Sequence, residues 1–192
     1  MTEHCECGGH NDGPVTTAQR ERIQLCFRLV DDWLEAVLSG GDHRESAAAA
    51  PLKSFIKLAP TLHDAHVRLV GLCLVAARRC GEATRRLGCA PAVFDVDSGF
   101  VDQIPPFVRL SMRLVIAYSR RDDDAANDLV IAYLRQLECG EIQQEMARVF
   151  AYLSQMYLWI DDVMSQEQQR RRATRLRTLA CRLTSAWRRG GH

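Results

Sequence analysis

Residues 61–88, "TLHDAHVRLVGLCLVAARRCGEATRRLG", decide the fold class. Ala65, Leu69, Leu72, Cys73, Ala76, Cys80, Ala83 and Leu87 recur at intervals of three and four, the spacing that stacks side chains on one face of an α-helix. Thr61 is suited to be the N-cap, Asp64 falls where a first-turn carboxylate meets the positive end of the helix dipole, and Gly88 is a C-terminal stop. The period and the length both exclude a strand. A helix with such an apolar face must be covered by other elements, and the rest of the chain has to supply them.

Upstream, Thr16 and Gln19 have capping-box spacing, and Ile23, Cys26, Phe27, Val30, Leu34 and Val37 trace an amphipathic helix that stops at Gly40 and Gly41. Pro51 and Pro60 interrupt residues 42–60, leaving room for a short helix near 52–58. Downstream, residues 89–105, "CAPAVFDVDSGFVDQIP", hold the only strand-like content, with no second strand to pair. They read as a long loop, and a connection of that length usually carries a function.

After Pro105 and Pro106, two helices at 107–119 and 122–138 are joined by a tight turn, and Gly140 stops the second. A further helix from Glu141 turns Ile142, Val149, Phe150, Leu153, Met156, Tyr157 and Ile160 inward. The expected fold is all-α, a bundle of five to six helices with a long 89–105 loop and a basic C-terminal helix. The expected organisation is a polar Cys/His tail at 1–14, a helical bundle domain at 15–164 and a basic amphipathic helix at 165–192.

The chain of 192 residues is long enough to bury a core without disulfide or metal staples. The longest apolar run, 69–77, covers about half a membrane span, and the N-terminus lacks a secretory apolar stretch. A cytoplasmic location and no membrane partner are therefore expected. In a reducing compartment the eight cysteines stay free thiols, and Cys26, Cys73 and Cys181 fall at apolar helix positions as small core residues.

The net charge of +1 hides an asymmetry. Eight arginines against a single acid, Glu167, give residues 165–192 about +7, which leaves about −6 for residues 1–164. Within the basic segment, Leu176, Leu179, Ala180, Leu183 and Trp187 line one helical face, and Arg175, Arg182 and Arg189 form a stripe beside it, preceded by Arg171 and Arg172. Two such helices paired in parallel would set each stripe against Ala180 or Trp187, with no acid to neutralise it. A self-sufficient parallel coiled coil is poorly specified. The stripe suits phosphates or an acidic protein face, unless it is simply a solvated face of a last bundle helix.

Metal chemistry is suggested by "HCECGGH" at 4–10, where Cys5 and Cys7 could serve as thiolates and His10 as a neutral imidazole. A structural zinc site needs a fourth donor, and the nearest are His63 and His66, three apart on one helix, or Cys89. Without one, the segment is an unliganded tail. The runs Asp31/Asp32, Asp122/Asp123/Asp124 and Asp161/Asp162 are weaker signals, and the middle run is explained by helix capping. Three aspartates at that helix start also argue against reading 107–138 as a DNA-binding helix-turn-helix.

No glycine-x-serine-x-glycine elbow, phosphate-binding glycine loop or histidine-glutamate-x-x-histidine motif occurs. Catalysis would require a site assembled from scattered residues. The expected function is a non-enzymatic helical interaction or regulatory module that binds a protein partner, with room for homo-oligomerisation. The alternatives are a nucleic-acid-associated protein using the basic helix, and a zinc-binding helical protein using the Cys/His cluster.

Overall fold

The computed structural model describes residues 16–39, 42–88 and 104–189, with side chains described as far as Gln166 and that of Asp42 excepted. Six helices make up this part: α1 (Thr17–Ser39), α2 (Asp42–Lys57), α3 (Leu62–Leu87), α4 (Pro106–Ser119), α5 (Asp123–Leu134) and α6 (Ile142–Arg189). No strand occurs among the described residues, and none of their helices is long and apolar enough to cross a membrane. The 1–14 tail and all but the last two residues of the 89–105 loop lie outside the described residues.

Local signals set the helix ends. At α1 the capping box closes both ways, with Gln19 N donating to Thr16 Oγ1 at 3.2 Å and Thr16 N donating to Gln19 Oε1 at 2.7 Å. Thr61 Oγ1 accepts from Asp64 N at 3.0 Å, and Gly88 ends α3 in the left-handed region at φ 67°. Asp122 caps α5 by accepting from Ala125 N, and Asp123 and Asp124 fill its first turn.

Helix α3 is the centre of the bundle, touching α1, α2, α4 and α6. Being covered on several sides, it buries more than one stripe: Val75, Ala77, Gly81 and Thr84 are inside together with Leu69, Leu72, Cys73, Ala76, Cys80 and Ala83. Cys73 Sγ donates to Met146 O at 3.2 Å and Cys80 Sγ to Leu153 O at 3.3 Å. Both pairs are separated by 73 residues, so α3 and α6 run side by side in the same direction. On α6, Met146, Val149, Leu153, Met156 and Ile160 form the facing seam, at alternating steps of three and four. On the neighbouring face of α3, a Cβ at Gly81 would stand 2.7 Å from Tyr118 Cβ and 2.8 Å from Ser119 N, so glycine permits the approach of α4.

Four details depart from the periodicity reading. Helix α5 ends at Leu134, with Arg135 as its C-cap in the right-handed region, rather than running to 138 and stopping at Gly140. Helix α2 is not confined to 52–58 but runs through Pro51. The proline is exposed and removes one backbone donor, while the alanines at 47–50 favour helix before it and Leu52 and Phe55 are buried after it. Burial of two such side chains, at roughly 1.5–3 kcal/mol each, offsets a proline cost of about 3 kcal/mol. Ile23, assigned to the inner face of α1, is 50% exposed. Ser154, which apolar patterning passes over, is buried because its hydroxyl accepts from Trp33 Nε1 at 2.9 Å and donates to Phe150 O at 2.9 Å.

Candidate functional site

Helix α1 follows the same course as α3: the Sγ of Cys26 lies 3.3 Å from where a Cβ on Gly71 would stand, and Asp31, further along α1, meets Arg79, further along α3. The C-terminal parts of α1 and α3 therefore flank α6 together. Between them opens a cleft of about 330 Å³, lined by Asp31, Leu34, Glu35 and Leu38 of α1, by Arg79, Glu82, Ala83 and Arg86 of α3, and by Tyr157 and Met164 of α6.

Arg79 forms one wall. Its Nε and Nη2 donate to the two carboxylate oxygens of Asp31 at 2.7 and 2.6 Å, and Nη1 donates to Glu82 Oε2 at 3.1 Å. The guanidinium also lies over the Phe27 ring, 5.2 Å from its centre. The bond to Asp31 holds its pKa above the ordinary arginine value, so it is a permanent cation. Arg79, Asp31 and Glu82 thus satisfy one another, leaving little capacity for a ligand.

The remaining polar groups are Glu35, exposed and in no ion pair among the described residues, Arg86, and Tyr157. Burial, reinforced by the nearby Asp161 charge, raises the Tyr157 pKa, so the phenol is a neutral hydrogen-bond donor or acceptor at neutral pH. Leu34, Leu38, Ala83 and Met164 supply apolar surface. The lining holds no Cys, Ser or His, and its polar groups, Glu35, Arg86 and Tyr157, can hold a ligand by charge and by hydrogen bonds.

The sequence-predicted ligands fall elsewhere. His63 is exposed and His66 buried, near the opposite end of α3. Burial, and then the neighbouring His63, lower the His66 pKa, and its Nε2 has no hydrogen-bond partner among the described residues. Cys5, Cys7 and His10 lie outside the described residues, as does Cys89. Among the described residues no three His, Cys, Asp or Glu side chains converge as metal ligands would.

Arg171, Arg172, Arg175, Arg182, Trp187 and Arg189 lie on the backbone of α6, and their side chains are outside the described set. The 73-residue spacing sets Leu87, the last residue of α3, level with Ile160. From there α6 runs on to Arg189, a further length of about 40 Å at 1.5 Å per residue.

Sequence reasoning picked out Asp31 but missed Arg79, Glu35, Arg86 and Tyr157. The only signal for them was the turn-to-turn spacing of Phe27 with Asp31 and of Glu82 with Arg86, which many solvated helix faces share. In comparisons with known proteins, no family model, curated protein or solved structure matches the chain.

Proposed function

We propose that the chain is a non-enzymatic interaction module that engages a protein partner through the C-terminal half of α6. The observation that carries this reading is the extent of α6, which continues to Arg189 after α3 has ended level with Ile160. The sequence of that extension alternates an apolar face, Leu176, Leu179, Ala180, Leu183 and Trp187, with the Arg175, Arg182 and Arg189 stripe. A helix of this kind buries its apolar face in a groove or against another helix, and its arginines select an acidic rim.

The test is a photo-crosslinking residue at Leu179 of the full chain, with Arg85 on the exposed end of α3 as control. One stoichiometric protein product from position 179 and none from 85 is the expected result. Equal, diffuse labelling from both would overturn the reading.

The eight arginines of 165–192 favour a second reading, contact with nucleic-acid phosphates that supplies affinity and little sequence preference. Its signature is retention on duplex DNA that falls steeply with salt and disappears in a chain ending at Ser165, which keeps every described core residue. Retention unchanged by that truncation would exclude it.

A further inference from the structure

We propose that the cleft between α1, α3 and α6 is a binding site for a small aliphatic zwitterion, a free amino acid with an apolar side chain, held by its ammonium at Glu35 and by its carboxylate at Arg86. The inference goes beyond the protein-partner reading and stands apart from it, because it uses the bundle and not the far half of α6.

The two long walls of the cleft are built alike. The lining falls at positions 31, 34, 35 and 38 of α1 and again at 79, 82, 83 and 86 of α3, so both helices present the same one-face spacing to the space between them. Asp31 and Arg79 are the first of each set and are bonded to each other, with Glu82 completing the network. At that end the cleft is closed and its charges are satisfied.

Further along, the polar groups are unused. Glu35 on one wall and Arg86 on the other are both exposed, and neither forms a hydrogen bond or an ion pair among the described residues. On the third wall the Tyr157 hydroxyl likewise has no hydrogen-bond partner among the described residues, and burial keeps it protonated. Two opposite charges that face one space without pairing are met together by a ligand that carries both. A simple cation would answer Glu35 and leave Arg86 beside a like charge, and a simple anion would do the reverse. A polyanion such as a phosphate is disfavoured, since Asp31, Glu35 and Glu82 stand in the lining against two arginines, one of them already held.

The remaining surface selects the body of the ligand. Leu34, Leu38, Ala83 and Met164 are apolar, and Leu38 is 39% exposed, so an aliphatic side chain laid on them is removed from water together with theirs. At about 330 Å³ the cleft is at the lower end of the roughly 300–1,000 Å³ that ligand sites span, which suits a molecule of amino-acid size better than a nucleotide.

The experiment is NMR of the full chain labelled at its methionine methyls. Of Met1, Met112, Met146, Met156 and Met164, only Met164 lines the cleft, and Met164→Leu identifies its signal. The probe is L-leucine, beside isocaproate, which lacks the ammonium, and isoamylamine, which lacks the carboxylate. Leucine is expected to shift the Met164 signal saturably, with Kd on the order of 1 mM for so small a ligand in an open cleft, and to leave Met112 and Met146 unmoved. Each single-charge analogue is expected to bind the native chain at least about tenfold more weakly. Glu35→Gln and Arg86→Gln should each weaken leucine at least about fivefold. Asp32→Asn, which changes an exposed acid of α1 outside the lining, should leave it unaltered. Glu35→Gln should also bring leucine and isocaproate level, and Arg86→Gln leucine and isoamylamine.

No saturable shift up to ~50 mM leucine, or equal shifts at every methionine, would overturn the proposal. So would an analogue that binds the native chain as well as leucine does, a comparison that does not depend on any variant folding. A loss in Asp32→Asn equal to that in Glu35→Gln would overturn it as well, because surface charge in general, and not the cleft, would then hold the ligand.

Discussion

Arg79 on α3 donates to both carboxylate oxygens of Asp31 on α1, at 2.7 and 2.6 Å, while its guanidinium covers the Phe27 ring of the same helix. The pair is partly exposed, with side-chain exposures of 30% and 46%, so solvent screens much of the Coulomb energy and the packing on Phe27 matters as much as the charge. Replacing Arg79 by Ala is expected to cost about 1–2 kcal/mol in urea unfolding. Arg79→Lys should recover less than half of that, since an ammonium cannot make the two-pronged contact or lie flat on the ring. A full rescue by lysine would show that charge alone holds α1 to α3.

Gly81 tests the packing of α4 against α3. An exposed glycine inside a helix is stabilised by change to alanine, by up to about 1 kcal/mol. Here the added methyl would meet Tyr118 Cβ at 2.7 Å and the Ser119 and Tyr118 backbone at 2.8 and 2.9 Å. Backbone cannot give way as a side-chain tip can, so Gly81→Ala is expected to lower stability by about 2 kcal/mol. Gly140→Ala, where a Cβ meets nothing within 4 Å, is the control and should be close to neutral in the same thermal melts.

Much of this framework was legible because its signals are local. Thr16 with Gln19, Thr61 with Asp64, Gly88 and Asp122 each fix a helix end through atoms only a few residues apart, and each appears where the sequence places it. What was not legible depends on tertiary neighbours. Pro51 reads as a break until Leu52 and Phe55 are seen to be buried, and Ser154 reads as solvent-facing until Trp33, 121 residues away, supplies its donor. The cleft belongs to the same class. Asp31, Arg79 and Arg86 look like three ordinary surface residues and Tyr157 like one more core residue, and only the shared direction of α1, α3 and α6 brings them together.

The cysteines give a reading of stability by chemistry. Cys26, Cys73 and Cys80 are buried, and burial raises their pKa values, to about 11 for Cys26 and about 12 for Cys80, so almost no thiolate forms at pH 8. Cys139 is exposed. In a chain with Cys5, Cys7, Cys89 and Cys181 changed to Ser, Ellman's reagent is expected to titrate Cys139 at once. The other three should react only at the rate of unfolding and together. Early reaction of Cys73 and Cys80 ahead of Cys26 would mean that α6 leaves α3 before the bundle opens.

His66 sets a pH dependence whose sign follows from its surroundings. Burial, and then the charge of His63, hold its pKa below the 6.5 of an unfolded chain, and its Nε2 has no partner among the described residues to favour the imidazolium. As pH falls through 6.5 the unfolded state takes up the proton first. The contribution of His66 is therefore complete above 6.5, declines as pH falls from there to the lowered folded value, and is level below it. Carboxylates titrate over the lower part of that range in any variant, so the quantity to measure is the difference in urea stability between the native chain and His66→Gln. That difference should be flat above pH 7 and move against the native chain as the medium is acidified. His66→Leu, which removes a buried polar atom without a partner, should raise stability at pH 8 by about 1 kcal/mol. If it lowers stability instead, Nε2 has a hydrogen-bond partner in the native chain, and the histidine is held in place rather than merely buried.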